Sequence, residues 1–226
     1  MTVVGAAGGV VYAFNGKTCA KIFEKPFPGG GGGPFNFADF DGDGELNFGS
    51  AGKTNFAAFN PDGSTLWTSV TKDASSYQTG ATTFDFNGDH KNEIVYNDED
   101  YLRIYDGASG KVLYQIENSS GTLYEYPIIV DTDGDGHANI VVHANDCFNY
   151  TNKSAYGIRV FEAPKNDWVG TRGIWNQHAY DPLLVNDDGT LTGVDAEKIW
   201  KPWLKSKHLV GFRNNIAKPD IKPECK

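Results

Sequence analysis

At 226 residues and a net charge of −9, the chain can bury one good core and lacks the basic footprint of a nucleic-acid binder. Glycine is abundant (27 residues), aromatics are generous and there is one methionine, a mix that favours short strands joined by tight turns. No apolar run approaches the roughly 18 residues of a bilayer span, so no membrane insertion is expected, and the opening MTVVGAAGGVVYAF lacks the charged start of a signal peptide.

In chain order, the first predicted strands lie in VYAFNGKTCAKI (residues 11–22). The run PGGGGGP (Pro28 to Pro34) follows. A phosphate loop would need Gly-Lys-Ser/Thr opening a helix, so this run reads as a flexible connection, with close packing near the propeller axis as the lesser alternative. From residue 35 a unit repeats. A short apolar strand (FNFA, TTF, IIV) runs into an aspartate-rich loop, and a second strand (LNFGS, EIVYN, NIVVH) leaves it. A third strand (NFAAF, YLRIY, GIRVF) precedes a turn such as DGASG, which reverses into a fourth (TLWTSV, KVLYQI). The loops start at Asp39, Asp85 and Asp131, two spacings of 46 residues. Four antiparallel strands in such a period predict an all-β class: a β-propeller or partial propeller of four-stranded blades. Residues 1–169 read as half a blade plus three loop-bearing blades, and residues 170–226 as an aromatic-rich capping or closing segment.

The loops DFDGDGELNFG, DFNGDHKNEIV and DTDGDGHANIV have the alternating oxygen donors of a metal loop. An EF-hand needs a bidentate Glu at position 12 and flanking helices, whereas position 12 here is Ser50, Tyr96 or Val142 and a strand follows. A nine-residue loop fits, with side-chain donors at positions 1, 3, 5 and 9 and the backbone carbonyl of position 7. The donors are then Asp39, Asp41, Asp43, Asn47 and the Glu45 carbonyl in the first copy. In the second they are Asp85, Asn87, Asp89, Glu93 and the Lys91 carbonyl; in the third, Asp131, Asp133, Asp135, Asn139 and the His137 carbonyl. Three acidic ligands and hard oxygens alone select Ca²⁺, up to three ions, over zinc or copper, while Mg²⁺ prefers a smaller octahedral site. His90 stands where the other copies have Gly44 and Gly136.

DFDGDGELNFGSAG and DTDGDGHANIVVHA resemble the FG-GAP/VCBS repeat family, over roughly residues 1 to 168. The resemblance implies an integrin-α-like propeller whose nine-residue loops bind calcium structurally. NFGSAG (47–52) comes closest to the FG-GAP hallmark, and VYNDED and VVHAND keep only the strand. The tryptophan-rich tail is similar to tails of large secreted bacterial proteins with such blades. A secreted or surface-displayed chain is expected, because extracellular calcium would fill loops of modest affinity.

Calcium at one edge leaves the opposite edge for ligands, where the resemblance implies that integrin-type propellers bind. Tyr77, Gln78, Asp98, Glu99, Tyr124, Glu125, Tyr126, Asn145 and Asp146 fall in connections expected there, and suit a glycan or a protein partner. The leading expectation is adhesion or recognition. The alternatives are an accessory or catalytic domain of a polysaccharide lyase or hydrolase, and a purely structural surface or fibre unit. No nucleophile elbow, Cys/His pair or His-Glu-x-x-His occurs, so no enzyme is expected, with Glu125 the one acid/base nominee.

The tail, counted from Trp168, holds four of the five tryptophans, with Trp175, Trp200 and Trp203. His178 of WNQHAY is expected as a hydrogen-bonded residue packed with Trp175 and Tyr180 rather than a ligand or base, and VNDDGT as a turn. Cys19, Cys147 and Cys225 allow one disulfide but no framework. Sequons stand at Asn118, Asn149 and Asn152. Too few blades are present to close a ring, so association with further blades or a second copy through the open side is expected.

Overall fold

The computed structural model describes residues 2–121, 123–146, 155–193 and 211–218. Cys147, Asn149, Asn152, Trp200, Trp203 and Cys225 lie outside them. The described residues form four antiparallel sheets and no helix. Sheet I comprises β1 (Thr2–Ala7), β2 (Val10–Asn15) and β3 (Lys21–Pro26). Sheet II comprises β4 (Asn36–Ala38), β5 (Asn47–Ala51), β6 (Asn55–Phe59) and β7 (Thr65–Val70). Sheet III has β8 (Ala81–Phe84), β9 (Glu93–Asn97), β10 (Tyr101–Tyr105) and β11 (Val112–Glu117). Sheet IV has β12 (Ile128–Val130), β13 (Asn139–Ala144) and β14 (Gly157–Phe161). Each is a meander, its strands paired in chain order.

The repeat explains the packing. Phe56 and Ala58 of β6, with Phe40 and Trp67, face Ile94, Tyr96 and Tyr105 of sheet III. Leu102 and Ile104, at the same register in β10, face Ile129, Ile140 and Trp168 of sheet IV. Val11 and Phe27 face Phe48 and Phe59 of sheet II. Alternation along each strand thus feeds two neighbours at once, and sheets II and III read as apolar on both faces. The sheets stack in chain order and close no ring among the described residues. At the two ends the same positions are exposed: Val3 (51%) and Ile22 (53%) on sheet I, Ile158 (72%) and Val160 (53%) on sheet IV.

The glycine run corrects an expectation. Gly29 to Gly32 all have left-handed φ, from 72° to 120°, and pack tightly instead of forming a loose connection. A Cβ on Gly32 would lie 2.5 Å from that of Ala6, and one on Gly29 2.8 Å from the Thr54 hydroxyl. Lys53 donates its backbone N–H to the Gly30 carbonyl (2.9 Å), so the run is stitched to the β5–β6 turn.

The tail contributes no strand among the described residues, yet it ties the sheets together. Asn214 bridges Thr83 of β8 and donates its side-chain amide to the Phe37 carbonyl of β4 (3.3 Å). Asn215 donates to the Ile129 carbonyl of β12 (3.0 Å). Residues 186–190 make the expected turn, with Asn186 N–H to Thr190 O at 2.8 Å. Asn118 is fully buried and donates to Asn97 (2.7 Å) and to the His143 carbonyl (3.0 Å), which leaves that sequon nothing to present. Cys19 is exposed and free.

Candidate metal centres and the opposite edge

The three aspartate loops share one hydrogen-bond pattern. The position-1 carboxylate accepts from the backbone N–H of positions 4 and 6. Asp39 accepts from Gly42 (2.7 Å) and Gly44 (2.9 Å), Asp85 from Gly88 (2.7 Å) and His90 (3.0 Å), and Asp131 from Gly134 (2.7 Å) and Gly136 (3.0 Å). Position 5 accepts from position 7: Glu45 on Asp43 (2.7 Å), Lys91 on Asp89 (2.9 Å), His137 on Asp135 (2.8 Å). Position 9 reaches back to the N–H of position 2, through Asn47 to Phe40, Glu93 to Phe86 and Asn139 to Thr132. These bonds curl each loop around its side-chain oxygens. Positions 4 and 6 take left-handed φ, and His90 adopts it at 68° where Gly44 has 84° and Gly136 91°.

Carboxylates converge in two loops. One oxygen from each of Asp39, Asp41 and Asp43 lies within 4.8 Å of the others, as for Asp131, Asp133 and Asp135. The second loop makes no such group among the described residues: Asn87 takes position 3, and Asp85, Asp89 and Glu93 are not gathered as closely. Its carboxylates still crowd. Burial, then Asp85 and Asp89, push Glu93 up to about 8. Burial raises Asp85, and burial followed by Asp43 raises Asp41. A hard divalent cation held by these oxygens would offset the negative charge they gather. The His137 ring turns away, with Nδ1 2.7 Å from the Trp168 carbonyl, which leaves only its backbone to face the loop.

Strands β5, β9 and β13 leave these loops and end at the opposite edge, where the connections are hydrogen-bonded in series. Thr71 N–H meets Thr54 O (3.0 Å), Glu99 N–H meets Lys72 O (2.9 Å), and Asn145 N–H meets Ser119 O (2.9 Å). Tyr124 is 64% exposed and Asp146 is exposed beside half-buried Asn145. Tyr77, with φ of 59°, and Gln78 are half-buried. Glu99 accepts from Ser75 N–H (2.7 Å) and pairs with Lys72 (3.5 Å). Glu125 pairs with His143, whose Nε2 also lies 2.8 Å from the Ser120 hydroxyl.

Two of the expected ligand residues are structural instead. Asp98 is 2% exposed and takes Thr71 Oγ1 (2.9 Å), three backbone N–H groups and Arg103. Tyr126 is 9% exposed, donates to the His178 carbonyl and lies beneath Arg213 (4.7 Å). The sequence signal for Asp98 was the turn N-D-E-D-Y, where an Asp captures its own backbone. Asp73, missed in the sequence, plays the same part by accepting from Ser76 Oγ and the Tyr96 hydroxyl, each at 2.9 Å. Trp175 stacks on Tyr180 (4.9 Å), and the His178 ring packs at a tilt against Tyr126 (5.0 Å). Desolvation, then Arg213, lowers the His178 pKa.

The fold and loops define an all-β array of meander sheets with acidic loops at one edge. No protein-family model and no curated protein sequence matches the chain. Among solved structures it is similar to the Vibrio cholerae biofilm matrix protein Bap1, at 25% identity and a TM-score of 0.66 over 92% of this chain. The chain spans 33% of Bap1's length. Chaetomium thermophilum Raptor and a Bacteroides caccae protein of unknown function match at 13% identity, with TM-scores of 0.38 and 0.35. No helix among the described residues is long and apolar enough to cross a membrane.

Proposed function

We propose that this chain is a calcium-held, propeller-type module of an extracellular matrix, which recognises a glycan or protein through the edge opposite its aspartate loops. The observation that carries this reading is the match over 92% of the chain to a biofilm matrix protein. Two features support it. The loops offer only hard oxygens, the donors that calcium takes. The opposite edge carries an exposed ring, Tyr124, beside Glu125 and Asp146. The test is binding to a panel of matrix polysaccharides, with calcium and with EDTA. Tyr124→Ala combined with Glu125→Ala should abolish retention, and retention that survives both changes sinks the proposed edge.

A second reading, assembly through the open side, is favoured by the free face of sheet IV. Ile158 and Val160 are 72% and 53% exposed, whereas Leu102 and Ile104, at the same register of sheet III, are 1% and 2% exposed beneath the next sheet. A further blade or a second copy would cover them. Light scattering at high concentration should show association that Ile158→Lys removes, and a monodisperse monomer counts against this reading.

A further inference from the structure

The repeat sets one aromatic ring in each of sheets I to III at the same register: Phe23 opposite Ala13, Trp67 opposite Ala58, Tyr114 opposite Ile104. In the first two gaps the ring closes the space between sheets by seating on a glycine of the next sheet's turn. A Cβ on Gly63 would lie 2.7 Å from the Phe23 ring, and Gly110 likewise leaves no room beneath Trp67. Trp67 also donates its indole N–H to the Gly107 carbonyl (2.6 Å) and is 7% exposed.

The third gap departs from this pattern. Asn166, with φ of 52°, holds the left-handed position in the turn after β14, so a side chain stands where the others have glycine. Tyr114 cannot seat. It meets Trp168 edge-on at 6.3 Å and stays 45% exposed. A cleft of about 260 Å³ opens between sheets III and IV, walled by Phe86, Tyr114 and Trp168 and bounded by Asn87, Glu93 and Asp167. None of its lining residues is basic.

We propose that this cleft binds a primary ammonium group carried on an apolar stem or ring, the chemistry shared by a lysine side chain and an amino sugar. Aromatic faces attract a cation through the ring quadrupole, more strongly where water is partly excluded. One carboxylate keeps that preference even with calcium in the neighbouring loop. Asp85, Asp89 and Glu93 outnumber the charge of one divalent ion by one, which Lys91 of the same loop can balance, so exposed Asp167 is the carboxylate left to a ligand. The cleft lining offers an anionic ligand no cationic side chain. The site is separate from the Tyr124 edge, so each can fail without the other.

The test titrates the whole chain in calcium with Nα-acetyl-lysine methylamide and with glucosamine, followed by indole N–H chemical shifts. N-acetylglucosamine and norleucine amide blocked at its amine serve as uncharged counterparts. We expect the amines to bind about ten-fold more tightly than these counterparts. Asp167→Asn and Tyr114→Leu should each weaken amine binding several-fold, and Asp167→Asn, at an exposed position, should leave the melting temperature unchanged. Tyr124→Ala should leave amine binding intact. The tighter of the two amines identifies the source of the ligand. Equal binding of charged and uncharged probes, binding indifferent to Asp167→Asn, or no binding up to millimolar probe would each overturn the proposal.

Discussion

The side-chain amide of Asn214 lies 3.3 Å from the Thr83 hydroxyl, across 131 residues of sequence. Together with the contacts of Asn214 to Phe37 and of Asn215 to Ile129, it joins β4, β8 and β12, the first strands of three successive sheets. Asn215 is fully buried and supplies three backbone carbonyls, of Ile129, Arg172 and Ile174. Asn215→Ala leaves these acceptors without that donor, at a cost of roughly 1–3 kcal/mol. Thermal melts should show a fall of about 3–10 °C. An unchanged melting temperature would mean that the tail is not a structural tie.

Metal removal should act through the loops. Ligand bound only by the folded state stabilises it, so EDTA should lower the melting temperature by several degrees. Calorimetric titration with calcium should lose one site on Asp39→Ala and another on Asp131→Ala. Equal melts with and without EDTA would refute structural calcium.

The second loop predicts a pH dependence that calcium inverts. In the metal-free fold Glu93 is raised from 4.5 to about 8, with Asp85 raised in the same direction. Between those values the folded state keeps a proton that the unfolded chain has released. Stability is therefore full below pH ~4.5 and falls as pH rises towards ~8. Calcium needs the carboxylate form, so its stabilisation grows over the same window. Melts from pH 5 to 8 should decline in EDTA and hold level or rise in calcium. Glu93→Gln should flatten the decline.

The glycine run can be tested by contrast. Gly52 has no positive φ, but a Cβ there would run into the Gly30 carbonyl and the Phe27 ring. Gly52→Ala should cost about 1–3 kcal/mol through that overlap. Gly44 has open space around it and a φ of 84°, so Gly44→Ala should cost only the backbone penalty, roughly 1–2 kcal/mol. Denaturant midpoints measure both costs, and a silent Gly52→Ala would restore the flexible reading of the run.

Strands and loops were legible because their causes are local. NFAAF, YLRIY and GIRVF are short apolar runs bounded by turn residues, and they match β6, β10 and β14 residue for residue. The nine-residue loops announce themselves through Asp at every second position. Asp98 was misread because a carboxylate in a polar turn looks the same whether it faces solvent or gathers Arg103 and Thr71 beneath the surface. The glycine run was misread because its partners, Ala6 and the Thr54 turn, are brought to it only by tertiary packing. The asparagines of the tail gave no signal at all, since their acceptors are backbone carbonyls far back in the chain.

That last feature bears on the order of assembly. Each sheet is a meander of neighbouring strands, so loop closure within it is short and the four can form one after another as the chain emerges. Residues 211–218 cannot dock until β4, β8 and β12 already stand side by side to receive them. The tail then acts as a latch that sets last, and a chain cut before Gly211 should keep its sheets while exchanging the buried amides along their inner strands faster.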